Sequence, residues 1–295
     1  MTAQPAISQQ DVETIISGIT IPTPPQLIAD LQMEMALPDP DLNEIAQMIN
    51  KDVGLAGGII KTVNSPFYGQ HDISSISKAV MMLGMNTVMN IVNALYLKDS
   101  MAHRNDISDG LVKHMTRFWD MTNDVAQSCV IIAKHIRCDQ TDMAYMLGLF
   151  HNAGIPLLML KYPDYPAIME ESYLCQNGRI VDTENKYLNT NHAVLSWYIA
   201  QSWKLPKCIC AAIAKHHSCE EIFTDDSIPC DTALLLSILK LAEHLAKTSQ
   251  ILGNQPIDYE WEHTGDNVMN HLGINQHDYE DLVGYAADMG IGNPL

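Results

Sequence analysis

Apolar residues recur along this chain at the three- and four-residue spacing of amphipathic helices. In the stretch PDPDLNEIAQMINKD, Ile45 and Ile49 belong to such a series, which predicts one buried helical face. Asp39 or Asp41 is available to cap the first turn of this helix. We find no convincing run of strict apolar–polar alternation bounded by hairpin turns, which is the pattern of a β-strand. The pattern therefore predicts an all-α fold.

The predicted helices lengthen in the second half of the chain. Prolines fall at the starts of apolar runs or between them, where the missing N–H costs least. A polar segment at about 100–112, SMAHRNDISDGLV, is the predicted connection between two helical halves. The helices predicted after it cover roughly 110–136, 141–151, 153–161, 164–177, 182–203, 206–217 and 231–249.

Length and composition narrow the class of protein. The 295 residues suffice for one large helical domain or two smaller ones. No run approaches the roughly 18 apolar residues of a membrane span, and the start MTAQPAISQQDVETIISG lacks the features of a signal peptide. The seven cysteines share no spacing typical of zinc or redox sites. We therefore expect a cytoplasmic protein with reduced thiols and no membrane association.

The charge balance bears on possible partners. With 17 basic and 35 acidic residues the formal net charge is −18, which opposes binding to nucleic acids and anionic membranes. Residues 251–295 contain no Lys or Arg, and are interpreted as a solvated acidic face or as a docking surface for a basic partner. The acidic residues of this segment are Asp258, Glu260, Glu262, Asp266, Asp278, Glu280, Asp281 and Asp288.

Motifs in the first half resemble one family. The stretch IPTPPQLIADL, followed by DLNEIAQMINKDVGLAGGIIKTVNSPFYGQHDISSISKAVMMLG, resembles the HDOD (HD-related output) domain. The positions that match its pattern are Asn64, Ser65, Tyr68, Gly69, Ile76, Ala79, Leu83 and Gly84. The resemblance implies a multi-helical HDOD-like fold with two packed helical subdomains, the second HD-like. We expect an N-terminal helical extension over 1–20, an HDOD domain over 21–250 (its halves 21–109 and 110–250), and an acidic helical tail over 251–295.

The resemblance also identifies where HD-superfamily phosphohydrolases hold their metal. In those enzymes an early histidine, a His-Asp step and a late aspartate bind a divalent ion that activates water. Met121 stands at the early position, His151-Asn152 replaces the His-Asp step, and Glu243 is near the late aspartate. A thioether is a poor donor for hard metals, and an amide supplies no charge to the ion. These degenerate positions favour a protein that is not an enzyme.

No cofactor is expected at the degenerate positions, but a second set of histidines leaves metal binding open. His192, His216 and His217 resemble additional ligands of the HD-GYP phosphodiesterases. With His151 they would form an imidazole-rich site suited to a divalent metal such as zinc, iron or manganese. The structural interpretation is favoured over metal binding, because a His pair at a helix end is stabilised by the dipole and by free carbonyls.

The resemblance implies a non-catalytic bacterial signal-transduction module that binds a signalling protein or a small molecule through its degenerate HD-type site. No receiver domain is recognisable beside it, so we expect a stand-alone protein. The alternative is a divergent metal-dependent phosphohydrolase or phosphodiesterase for a nucleotide or cyclic dinucleotide. A third interpretation is a scaffold that dimerises through helices near 80–97, and the oligomeric state stays open. Candidate basic residues for holding phosphate are Lys113, Arg117, Lys134, Lys161, Lys215 and Lys240.

Overall fold

Helices form all the regular secondary structure in the part of the chain that the computed structural model describes, which is residues 18–69, 73–102, 108–218 and 228–292. The predicted all-α fold is confirmed. Residues 1–17, most of the expected N-terminal extension, lie outside the described residues. So do residues 103–107, within the predicted connection, which is flanked by two helices.

The first half begins with short, capped helices. Asp41, one of two predicted caps, accepts hydrogen bonds from the backbone N–H groups of Asn43 and Glu44. Asp52 caps the next helix and also accepts a hydrogen bond from the Tyr96 hydroxyl at 2.9 Å. The helices of this half are α1 (Gln26–Met35), α2 (Leu42–Asn50), α3 (Val53–Val63), α4 (Ile76–Leu83) and α5 (Met85–Ala102), with a 3₁₀ turn at Pro66–Tyr68.

The family motif NSPFYG is a structural element. The Asn64 side chain accepts a hydrogen bond from Ile73 N at 2.9 Å and donates one to Ile73 O at 2.8 Å. Ser65 precedes the 3₁₀ turn, and Gly69 ends it with a φ of 97°, a conformation that suits glycine. Burial raises the pKa of Tyr68, and the neighbouring Tyr145 of the second half raises it further. The motif therefore closes a loop and joins the halves.

The second half is built around long buried helices. Their bounds are α6 (Asp109–His135), α7 (Thr141–Phe150), α8 (Gly154–Lys161), α9 (Tyr165–Tyr173), α10 (Ile180–Leu188), α11 (His192–Ser202), α12 (Lys207–Lys215) and α13 (Cys230–Leu245). α6 packs along α7 and α13, α11 packs against α12, and α12 contacts α13. His192 and Glu243 lie on α11 and α13.

Two predicted helices are interrupted in the structure. The helix predicted over 182–203 is wrong, because Asn189 adopts a left-handed conformation (φ 54°) and ends α10. The Asn191 side chain then accepts a hydrogen bond from Val194 N at 3.0 Å and starts α11, so that His192 begins a helix. Likewise the helix predicted over 231–249 ends at Leu245, and Lys247 (φ 54°) precedes a separate short helix, α14 (Thr248–Gly253).

The acidic C-terminal segment contains two helices, α15 (Tyr259–Leu272) and α16 (Gln276–Asp288). Asp258 caps α15 by accepting a hydrogen bond from Trp261 N at 3.1 Å. α15 packs against α13, and α16 contacts α6. The end of the chain is therefore packed onto the HD-like half.

One segment, Thr141–Lys161, is long and apolar enough to cross a membrane by composition. In the structure it comprises α7, a turn and α8, and 83% of its most apolar window is buried inside the protein. It is part of the protein core, which explains its apolar composition.

Candidate metal site

Three predicted histidines converge in the HD-like half. The Nε2 atom of His192 lies 2.9 Å from Nε2 of His217 and 3.3 Å from Nε2 of His216. The three rings are buried, with at most 4% of any of these residues exposed. One ligand atom from each lies within 4.8 Å of the others, which is close enough for a single metal ion.

Local structure explains why these rings meet. His192 occupies the first position of α11, immediately after the break at 189–191. His216 is the C-cap residue of α12, and its Nδ1 lies 2.6 Å from the carbonyl oxygen of Ile213. The carbonyl interaction expected for a His pair at a helix end is thus present, and it turns the other ring nitrogen of His216 toward His192.

The second nitrogen of each ring is held by an acceptor. His192 Nδ1 lies 2.6 Å from Glu184 Oε2, and His217 Nδ1 lies 3.0 Å from Glu260 Oε1. Since carboxylates and carbonyls accept hydrogen bonds, these contacts assign the proton of each neutral ring to Nδ1. Each Nε2 atom then presents a lone pair to the same point.

Burial keeps the imidazoles of His216 and His217 neutral. Desolvation lowers the pKa of His216 well below its usual value. Electrostatic repulsion from nearby His217 and Lys240 lowers it further. Desolvation likewise lowers the pKa of His217 well below its usual value, with Lys240 next in importance. Neutral imidazole is the form that binds transition metals.

The acids behind the rings are themselves fixed. Glu184 is completely buried, and its Oε1 accepts a short hydrogen bond from the Tyr165 hydroxyl. Partners of this kind orient metal-binding histidines and raise their basicity. Glu184 and Glu260 were not predicted as residues of this site, since they lie 8 and 43 residues from the histidines they contact. No motif marks either residue.

The degenerate HD positions lie beside this cluster. His151 Nε2 is 3.4 Å from Glu243 Oε1, and the His151 ring lies 5.4 Å from that of His216. Asn152 is fully buried, and neither of its amide atoms has a hydrogen-bond partner in the described structure. Met121 is a buried side chain of the hydrophobic core. The structure thus places His151 with Glu243, next to the group of His192, His216 and His217.

A buried lysine completes the polar centre. Lys240 Nζ lies 2.7 Å from Glu243 Oε2 and 2.8 Å from Glu260 Oε2. The pKa of Glu243 is held well below its usual value, against desolvation, chiefly by the Lys240 ammonium. With neutral imidazoles, the three carboxylates of Glu184, Glu243 and Glu260 and the one ammonium give a net charge of −2. A divalent cation would balance it.

The donor set fits such a cation. Zn–N bonds of about 2.0–2.1 Å in tetrahedral geometry place ligand nitrogens about 3.3 Å apart. The His192–His216 Nε2 separation is 3.3 Å, and the His192–His217 separation is shorter at 2.9 Å. Three imidazole nitrogens also suit iron and other first-row metals.

A small polar pocket adjoins the centre. Among its lining residues, Lys240 is the basic one and already pairs with two carboxylates. Glu243, Asp258 and Glu260 give the pocket an acidic wall. The other lining residues are Tyr173, Thr248, Ser249, Trp261 and Thr264.

Comparisons with known proteins agree with the fold. The HDOD domain family matches residues 21–219. A curated relative, an uncharacterized protein of Treponema pallidum (strain Nichols), is 26% identical over 203 residues. That match covers 67% of this chain and 38% of the relative, so the chain spans less than half of the relative's length.

Solved structures show the same architecture. An HDOD domain protein of unknown function from Geobacter sulfurreducens has a TM-score of 0.71 and 20% identity, covering 94% of this chain and 92% of that one. A candidate phosphohydrolase from Shewanella amazonensis SB2B has a TM-score of 0.67 and 20% identity, covering 95% and 94%. A candidate signal transduction protein from Marinobacter aquaeolei VT8 has a TM-score of 0.66 and 19% identity, covering 98% and 66%. The resemblance noted in the motifs is confirmed: this chain belongs to the HDOD domain family.

Proposed function

We propose that this protein is a non-catalytic regulatory module whose HD-type site holds one divalent transition metal as a structural centre. The observation that carries the proposal is the convergence of three imidazoles: Nε2 of His192 lies 2.9 Å from that of His217 and 3.3 Å from that of His216, and every Nδ1 is held by an acceptor. Zinc, iron and manganese are the candidate ions.

Electrostatics favours a bound cation. Three lone pairs that face one another without an intervening proton repel, and a metal ion converts that repulsion into coordination. The net charge of −2 around the rings gives a second, independent reason, since buried uncompensated charge is costly. His192, His216 and His217 would bind the ion, while Glu184 and Glu260 orient two of them.

The surroundings oppose phosphate chemistry. Phosphate esters are anions, and the adjoining pocket presents Glu243, Asp258 and Glu260. Of the basic residues predicted to hold phosphate, Lys240 lies in this pocket, where both carboxylates that it contacts already use its charge. Met121 and Asn152 supply no anionic ligand for a catalytic metal at the positions where HD-type enzymes hold one.

The metal would therefore have a structural role and not a catalytic one. It would join the start of α11 to the end of α12 and, through Glu260, to α15. A surface stabilised in this way would bind a signalling protein or a small ligand. The candidate signal transduction role named for the Marinobacter structure supports a regulatory function.

The alternative is a metal-dependent phosphohydrolase. Convergence of the histidines supports its first requirement, a site able to bind a metal, and a structural relative from Shewanella amazonensis SB2B is named as a candidate phosphohydrolase. The acidic pocket argues against its second requirement, an anionic substrate.

Metal content tests the proposal. The metal content of untagged protein from cells supplied with manganese, iron and zinc is measured by elemental mass spectrometry. Wild type is compared with His192→Ala and His217→Ala, and the exposed His277→Ala is the control. We expect about one metal per chain in wild type and control, and loss in the other two variants. Metal-free but folded wild type would overturn metal binding. Metal-dependent hydrolysis of a cyclic dinucleotide that is lost in His217→Ala would overturn the non-catalytic assignment.

A further inference from the structure

We infer that the Lys240 ammonium takes the place of a second cation in this site, so that the wild-type protein binds no metal between Glu243 and Glu260. Replacing Lys240 with a neutral residue would open a second divalent-metal site there, with His151 as its nitrogen ligand. The inference concerns a place beside the proposed three-histidine site and extends that proposal.

The position of the ammonium is that of a bridging cation. Lys240 stands one turn before Glu243 on α13, and 3% of its side chain is exposed. Its Nζ lies 2.7 Å from one oxygen of Glu243 and 2.8 Å from one oxygen of Glu260. Each carboxylate turns its other oxygen toward a histidine, Glu243 toward His151 and Glu260 toward His217. The lysine thus connects two acids that belong to the shell of the metal site.

His151 is a potential metal ligand that the proposed three-histidine centre does not use. Its Nδ1 lies 2.8 Å from the carbonyl oxygen of Gly148, so the neutral ring carries its proton there. Its Nε2 atom is fully buried and has no hydrogen-bond partner in the described structure. That lone pair faces Glu243 Oε1, an acceptor, at 3.4 Å. A nitrogen lone pair and a carboxylate oxygen that face each other across this distance are arranged as two ligands of one ion would be.

Charge explains the effect of the lysine. Glu243 and Glu260 supply two negative charges to the same point, and the ammonium supplies one positive charge. A divalent ion cannot enter while the ammonium remains, because the two cations would repel at contact distance. When the ammonium is removed, two carboxylates lie close together with no cation between them. A divalent ion with oxygen ligands from both acids and His151 Nε2 would restore neutrality.

The test counts metal in variants at position 240. Metal-stripped wild type, Lys240→Met, Lys240→Arg and the exposed control Lys134→Met are titrated with Mn²⁺ and Zn²⁺ by calorimetry. Bound metal is then counted by elemental mass spectrometry. Methionine keeps much of the lysine chain length without its charge, whereas arginine keeps the charge. We expect Lys240→Met to bind one metal per chain more than wild type, with no gain in the other two variants.

A second variant assigns the ligand. Adding His151→Ala to Lys240→Met is expected to remove the extra metal and leave the wild-type number. In the Mn²⁺-loaded Lys240→Met protein, two ions a few ångströms apart should give the electron paramagnetic resonance spectrum of a spin-coupled pair, which a single ion does not give. If Lys240→Met is unfolded when stripped of metal, Mn²⁺ should refold it, because the ion replaces the missing charge.

The outcomes separate the two proposals. Wild type without metal overturns the proposed three-histidine centre, whereas the lysine inference depends on the difference between Lys240→Met and wild type. No gain of metal in folded Lys240→Met, or no refolding with Mn²⁺, overturns the inference. An extra metal in wild type with Lys240 intact overturns it as well.

Discussion

Glu184→Gln should weaken metal binding although Glu184 is not expected to contact the metal. Glu184 is fully buried, and its two oxygens accept hydrogen bonds from the Tyr165 hydroxyl and from His192 Nδ1, the latter at 2.6 Å. Glutamine has one carbonyl oxygen in place of two carboxylate oxygens. Its NH₂ group must face either the tyrosine hydroxyl or the His192 nitrogen.

Either orientation reduces the affinity for metal. If the NH₂ group faces His192, it displaces the Nδ1 proton to Nε2, and the ring loses the lone pair that binds the ion. If the carbonyl oxygen faces His192, a neutral acceptor replaces a charged one and the ring is less basic. Changes to such outer partners typically cost 10–100-fold in metal affinity, about 1.4–2.7 kcal/mol.

The assay is competitive Zn²⁺ titration of metal-stripped protein, with Co²⁺ absorption as a report on coordination. The matched control is Glu171→Gln, because Glu171 also accepts a tyrosine hydrogen bond, from Tyr187 at 3.0 Å, but is exposed. We expect the control to bind as wild type does. Unchanged affinity in a folded Glu184→Gln variant would refute the assignment of Glu184 as the residue that orients His192.

Three further results follow from the structure. Chelation should lower the melting temperature of wild type, because a metal ion at a free concentration of 100 times its Kd stabilises a fold by about 2.7 kcal/mol. An equal melting temperature with and without chelator would contradict this. Asp52→Ala should cost about 1 kcal/mol in a urea titration, because Asp52 caps α3. The hydrogen bond from Leu55 N lowers the pKa of Asp52 below 3.8, with a further contribution from Tyr96. The capping stability is therefore present above pH 3.8 and lost as the pH falls through the lowered value, so the two proteins should converge in acid. Gly154→Ala should destabilise the protein by about 1–3 kcal/mol and weaken metal binding. Its added methyl group would lie 2.4 Å from the backbone oxygen of His192. A melting temperature and a metal affinity equal to those of wild type would contradict this, because α11 would then accommodate the methyl group without cost.

Part of this arrangement could be predicted from sequence. Helical periodicity identified the all-α fold, and the cap at Asp41 was one of two predicted choices, because both depend on neighbouring residues. The break at Asn189 was missed, since an asparagine in a left-handed turn is indistinguishable in sequence from a polar residue within a helix. Family resemblance selected His192, His216 and His217 as a group, and the structure brings their nitrogens together.

The residues that contact the histidines could not be predicted from the sequence, and the reason is physical. Glu260 contacts His217 across 43 residues, and Lys240 contacts Glu260 across 20. Such pairs depend on how α13 and α15 pack, which no local pattern encodes. In sequence, Glu260 belongs to an acidic segment whose two interpretations were solvation and docking. In the structure this acid lies against a histidine of the candidate metal site.

X-ray absorption at the metal edge of Zn²⁺-loaded wild type tests the central claim most directly. The account predicts one ion per chain with three imidazole nitrogens at about 2.0–2.1 Å, and loss of nitrogen scattering in His192→Ala. A metal shell of oxygen ligands alone, or a spectrum unchanged in His192→Ala, would contradict it.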